Sequence, residues 1–193
     1  GPAFASVGTA ASSGTKLFCV SGCAARPGLY EAPFGITLRE LIDLAGGVRG
    51  GRPLQAVLLG GAAGVFVTPD EVEMPLTFEG ARAAGATLGS GVIMLFDDTI
   101  DIKAILIRIA SFFRDESCGQ CVPCRVGTVR QEEALHRLTT ASGADAIRSE
   151  LALLEDVAQV MRDASICGLG HTAASAVQSA LRKLPIVSTG GAR

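Results

Sequence analysis

The chain has 193 residues, 48% hydrophobic and 19% charged, a balance that can bury a core and excludes a disordered chain. Its formal net charge of −2 removes the electrostatic case for a nucleic-acid or membrane-surface partner. Neither a run approaching the ~18 apolar residues of a membrane span nor a basic-then-apolar signal segment is present, so direct membrane insertion is not expected. The expected compartment is cytoplasmic, where clustered cysteines more often bind metal or do redox chemistry than pair.

The chain opens on GPAFASVGTAASSGTK, without an initiator methionine, as a fragment of something longer would. Residues 1–15 are small and polar and read as a linker or a detached tail. KLFCVSG (16–22) and GLYEA (28–32) predict two strands joined by a turn around Arg26, Pro27 and Gly28. TLRELIDLAGG (37–47) carries a capping-box signature, Thr37 followed three residues later by Glu40. Leu38, Leu41, Ile42 and Ala45 share one helical face there, and Gly46-Gly47 supply the stop. LQAVLLGG (54–61), GVFVTP (64–69) and VIMLFDD (92–98) read as further strands. A hairpin, a crossing helix and more strands within residues 16–98 describe a small α+β domain of β-grasp (ubiquitin-like) type.

After Asp98 the pattern turns helical. DIKAILIRIASFF (101–113) is an apolar-rich helix, residues 125–140 fit a second, and 171–184 another closed by Pro185. Ile147, Leu151, Leu154, Ala158 and Met161 form the stripe of a bundle helix across 144–163. Residues 99–187 therefore read as an all-α four-helix bundle, and 188–193 as a flexible C-terminus.

Three of the six cysteines fall in DESCGQCVPCRVG (115–127). Cys118, Cys121 and Cys124 form C-x2-C-x2-C, which suits one face of an iron–sulfur cube, and Cys167 in SICGLGH can close it from elsewhere. Gly119 and Pro123 favour a turn at the triple over a continuing helix. Threonine at 128 excludes the two-cluster ferredoxin pattern, which places a fourth cysteine there. Zinc is the competing metal, because His171 lies four residues after Cys167 and sites of three cysteines and a histidine are common. Zinc ligands usually come as two separated pairs, so the spacing favours a [4Fe–4S] cluster. Cys19 and Cys23 read as structural. His136 reads as a solvated surface residue and His171 as a helix-end residue. Arg125 reads equally as a surface arginine or as a positive charge that raises the potential of a cluster. The glycine pairs match no phosphate-binding fingerprint and are turns.

ESCGQCVPCRVG (116–127) with SICGLG (165–170) resembles the cluster-binding region of the NADH-binding flavoprotein subunit of bacterial respiratory complex I. The diaphorase subunits of NAD-linked formate dehydrogenases and hydrogenases are similar. GTKLFCVSG (14–22), RPGLYEAPFGITLRELI (26–42) and Gly46-Gly47 resemble the soluble-ligand-binding β-grasp (SLBB) domain of that family, and GPAFASVG (1–8) the tail of its flavin domain.

The resemblance implies that Cys118, Cys121, Cys124 and Cys167 ligate one [4Fe–4S] cluster, with Gly168 and Leu169 facing a flavin. It implies an electron-transfer fragment of an NADH dehydrogenase, taking single electrons from FMN reduced by NADH and passing them to the next iron–sulfur centre. The implied partners are the missing flavin/NADH-binding domain and neighbouring iron–sulfur subunits, at the cytoplasmic face of the membrane through the complex. The family's glycine-rich flavin and NADH domain is not in this sequence, so the chain is expected to bind neither FMN nor NAD(H) and not to be catalytic alone. The alternative is a zinc-stabilised structural or interaction module without redox activity.

Overall fold

A computed structural model describes residues 1–187, and the expected frayed end at 188–193 lies outside the described residues. The chain divides into two units, Gly1–Ile100 and a second beginning at Asp101.

The first unit is built on a five-stranded mixed sheet of order β2-β1-β5-β3-β4. Strand β1 (Thr15–Gly22) runs antiparallel to β2 (Gly28–Pro33) with Phe18 opposite Tyr30, and parallel to β5 (Val92–Asp97). The Tyr30 hydroxyl closes the hairpin by donating to the Arg26 carbonyl at 2.6 Å. Strand β3 (Leu54–Leu59) lies between β5 and β4 (Val65–Val67), antiparallel to both. Along β1 the side chains alternate, so that Phe18 and Val20 are buried while Leu17 is exposed, the period-two pattern of a strand with one face in the core.

Helix α2 (Leu38–Leu44) starts as its sequence predicts. The Glu40 N–H donates to the Thr37 hydroxyl at 3.1 Å, and the Thr37 N–H donates to the Glu40 carboxylate at 2.8 Å. Leu38, Leu41 and Ile42 then join Phe18, Val20, Leu59, Ile93 and Leu95 in one core. Helix α3 (Phe78–Ala83), which the sequence pattern does not announce, is capped by the Thr77 hydroxyl accepting from the Gly80 N–H at 2.8 Å.

The N-terminal segment differs from the linker expected for it. It holds a single helical turn, α1 (Pro2–Ala5), and a bridge between Gly8 and Ser13. Ser12 is 2% exposed and donates to the Glu79 carboxylate at 2.5 Å, Thr9 donates to it at 2.6 Å, and the Phe78 N–H donates to Ser12 Oγ at 3.0 Å. Small polar residues read as linker by composition, but here their hydroxyls tie the segment to the N-terminus of α3, where a carboxylate is also favoured.

The second unit is helical: α4 (Ile102–Asp115), α5 (Val122–Thr140), α6 (Ala144–Ala164), α7 (Gly168–Thr172) and α8 (Ser175–Lys183). Asp101 caps α4 by accepting from the Lys103 N–H at 2.9 Å. Helix α4 packs on α5 and α8, and α5 packs on α6 and α7. Leu106, Ala110 and Phe113 of α4, Ala134 and Leu135 of α5, Leu154, Ala158 and Met161 of α6, and Ala176, Val177 and Ala180 of α8 are buried. Ion pairs tie the layers: Arg114 to the buried Glu132, and Arg137 to Glu150 through two bonds of 2.7 and 2.9 Å. Among the described residues no helix is long and apolar enough to cross a membrane.

Two helix boundaries depart from the sequence reading. Helix α5 begins at Val122, so Cys124 and Arg125 sit on its first turn; Pro123 opens the helix, where its missing N–H costs nothing. The single helix expected over 171–184 is two, α7 and α8, and His171 lies inside the first. At their joint the buried Gln131 side chain donates to the Ala173 carbonyl at 3.0 Å.

Candidate metal centre

Four segments of the second unit converge at the N-terminal end of α5. Helix α4 ends with Glu116 as its C-cap, and the loop 117–120 turns back at Gly119, whose φ of +74° is open to glycine at little cost. Cys121 is the N-cap of α5 and Cys124 lies in its first turn. After α6 the chain runs extended through Ser165 to Cys167, the N-cap of α7.

Cys118, Cys121, Cys124 and Cys167 all line one cavity of about 270 Å³, together with Ser117, Ile166 and Leu169. Cys124 is buried, Cys121 half-buried, and Cys118 and Cys167 exposed; none is in a disulfide. Gly168, grouped with Leu169 at the sequence level, does not line the cavity, and a Cβ there would meet open space. Cys19 and Cys23 belong to the first unit, on or just after β1. His136 is exposed on α5, and Arg125 is exposed with its guanidinium donating to the Gly119 carbonyl at 3.2 Å, holding the cysteine turn.

The surroundings favour the thiolate of Cys121. The Cys121 thiol is pulled below its ordinary value, first by the N–H of Ile166 and next by that of Cys124, against the opposing effect of burial; the Ser165 hydroxyl and its own N–H add to the pull. The helix dipole of α5 acts in the same sense at Cys121, its N-cap. Ser117 Oγ lies 3.4 Å from Cys124 Sγ and accepts the Gly119 N–H at 3.3 Å, which leaves the hydroxyl proton free for the sulfur. Gly170 brings α7 close: a Cβ there would stand 2.2 Å from Ser165 Oγ and 3.1 Å from the Cys124 Cβ.

The donor set and the space both fit an iron–sulfur cube. A tetrahedral zinc with bonds of ~2.3 Å draws its sulfurs to within about 3.8 Å of each other. Among the described residues no three His, Cys, Asp or Glu side chains converge on a single ion in that way. The cysteines instead surround a cavity of about 270 Å³, where a water-sized occupant needs only about 10–15 Å³. The histidine that a zinc site would recruit, His171, does not line the cavity, and its Nε2 faces the Ser165 carbonyl oxygen at 2.7 Å. Ser117, Ser165 and His171 support the centre without a spacing signature of their own; only their adjacency to cysteines in the sequence hinted at them.

A mixed sheet unit followed by a helical unit carrying four clustered cysteines defines a class of protein with an iron–sulfur binding domain. Residues 104–186 match the NADH-ubiquinone oxidoreductase-F iron-sulfur binding region, and residues 16–95 match the SLBB domain. The SLBB match thus precedes the oxidoreductase-F iron–sulfur match along the chain, and the two leave only residues 96–103 between them. It is 40% identical over 93% of its length to the NADH-quinone oxidoreductase F protein of Mycobacterium tuberculosis, and covers 40% of that protein. It is 34% identical over 92% of its length to the HndC component of an NADP-reducing hydrogenase from Solidesulfovibrio fructosivorans, covering 36%. Among solved structures, an NAD+-reducing [NiFe]-hydrogenase in the H2-reduced state superposes with a TM-score of 0.81 at 37% identity, over 93% of this chain and 30% of that one. The chain thus spans well under half the length of these relatives.

Proposed function

We propose that the chain is the electron-transfer part of an NADH dehydrogenase flavoprotein subunit, with Cys118, Cys121, Cys124 and Cys167 holding a [4Fe–4S] cluster. The observation that carries this is the convergence of all four cysteines on one cavity at the start of α5. When bound, such a cluster supplies one-electron capacity between a two-electron flavin and the next iron–sulfur centre. The chain's own part is to hold four thiolates, supply N–H and O–H donors to their sulfurs, and shield Cys124 from water.

The finer features of the fold suit this role. The order β2-β1-β5-β3-β4, with β1 and β5 parallel at its centre and α2 on one face, supports a β-grasp domain over 16–98. The pairing of α4, α5, α6 and α8 supports a helical bundle domain over 99–187.

FMN and NADH belong, in this reading, to a flavin domain outside the present sequence, with Leu169 on the side of the centre that meets it. Neighbouring iron–sulfur subunits take the electron onward at the cytoplasmic face of the membrane. Exposed Ile166 at the cysteine cavity, and exposed Val122, Val126 and Val160 lining a second cavity of α5 and α6, support contact with such partners.

The test is reduction of the reconstituted chain by NADH, alone and with a flavin-bearing diaphorase domain added. The chain should stay oxidised with NADH alone and become reduced when the flavin domain is present. A cluster reducible by dithionite but never through the flavin would refute the role.

A further inference from the structure

We propose that the Ser165 hydroxyl donates a hydrogen bond to the cluster sulfur of Cys121 and so raises the reduction potential of the centre. This rests on the cluster reading above. Ser165 Oγ is buried, with the residue 8% exposed, and is the one buried side-chain polar atom among the described residues that lacks a hydrogen-bond partner. A buried hydroxyl with no acceptor costs folding free energy, so an unpartnered one points to a group that is bound in the working protein.

The serine is held in place from both sides. Its N–H donates to the Met161 carbonyl at 3.2 Å, and its own carbonyl accepts from His171 Nε2 at 2.7 Å. The serine side chain fills the space left by Gly170, where an added Cβ would lie 2.2 Å from Ser165 Oγ and 3.1 Å from the Cys124 Cβ. The unpartnered hydroxyl lies two residues before Cys167, and its influence falls on the Cys121 thiol although no complete hydrogen bond joins them. A thiolate sulfur on a cluster is a better acceptor than a thiol, and each added electron makes it better still. A donor here therefore stabilises the reduced form more than the oxidised one. Ser117 stands in the same relation to Cys124, at 3.4 Å, so two of the four sulfurs have a hydroxyl at hand.

The experiment is a potentiometric titration of the full chain, reconstituted anaerobically with iron and sulfide and followed by EPR, for the wild type, S165A, S165V and S165T. Iron content and circular dichroism are measured on each. Removing the hydroxyl should shift the reduction equilibrium about tenfold toward the oxidised form, about 59 mV more negative for one electron. Threonine, which keeps the hydroxyl, should stay near the wild-type value, whereas isosteric valine should follow alanine. Loss of iron in S165A and S165V with retention in S165T also supports the contact. An unchanged midpoint in S165A or S165V overturns the proposal, as does loss of iron from all three variants. A wild-type chain that takes zinc and no iron overturns the cluster reading itself, an outcome separate from any midpoint.

Discussion

His171 Nε2 lies 2.7 Å from the carbonyl oxygen of Ser165, two residues before Cys167. The contact joins the first turn of α7 to the extended segment leaving α6, and so fixes the backbone that presents Cys167. His171 does not line the cysteine cavity, so it positions a ligand loop from outside it. Replacing it with alanine removes one neutral hydrogen bond, worth about 1 kcal/mol. Iron loss to a chelator should become roughly fivefold faster, while the visible spectrum of the loaded chain stays the same. A His171→Ala chain that cannot be loaded at all would mean the imidazole binds the metal.

Cys121 is the N-cap of α5 and lines the cavity with the other three cysteines, so Cys121→Ser should abolish the cluster. With the cluster gone, the loop before α5 and the segment 165–167 lose their common anchor. Amide exchange should rise there and along the first turn of α5, while α2 and the sheet stay protected. Iron content and exchange equal to those of the wild type would contradict this.

The N-terminal segment should release in acid. Hydroxyls, first of Ser12 and then of Thr9, hold the Glu79 carboxyl down at about 2, against an ordinary value of 4.5. A folded-state value below the unfolded one stabilises the fold above about pH 4.5, and that contribution is lost as the pH falls toward 2. Protection factors of the amides of residues 9–14, corrected for the intrinsic pH dependence of exchange, should therefore fall between pH 4.5 and 2, and Glu79→Gln should abolish that fall. Equal acid sensitivity in the glutamine variant would place the titrating group elsewhere.

The capping box of α2 is a separate handle on the first unit. Thr37→Ala removes the hydroxyl that accepts the Glu40 N–H, at a cost of about 1 kcal/mol. For a unit of this size, that lowers the melting temperature by about 4–8 °C in calorimetry. The iron content should not change. A melting temperature equal to the wild type would mean that tertiary packing alone sets the start of α2.

Much of the fold is legible in local chemistry. Phe18 and Val20 alternate, Thr37 and Glu40 sit at capping distance, and the stripe from Ile147 to Met161 has one buried face; each is visible in a short window. Cys118, Cys121 and Cys124 likewise stand out in one short window, whereas Cys167 lies 43 positions beyond Cys124 and meets them at the cavity only through the fold. What escapes the sequence depends on distant partners. Glu79 orders Ser12 from 67 positions away, and Gln131 meets the joint between α7 and α8 from 42 positions away. Pro123 misleads because a proline that breaks a helix interior also begins a helix well. Ser165 has only its nearness to Cys167 to mark it in the sequence, whereas burial and the lack of a partner mark it in the fold.

The central question is what the four cysteines around the cavity at the start of α5 hold. The most direct measurement is metal and sulfide analysis of the full chain, reconstituted anaerobically with both iron and zinc available, followed by low-temperature EPR after dithionite. A [4Fe–4S] centre predicts about four iron and four sulfide per chain, with a reduced-cluster signal that is absent from Cys121→Ser. A colourless chain holding one zinc, no sulfide and no EPR signal would contradict it.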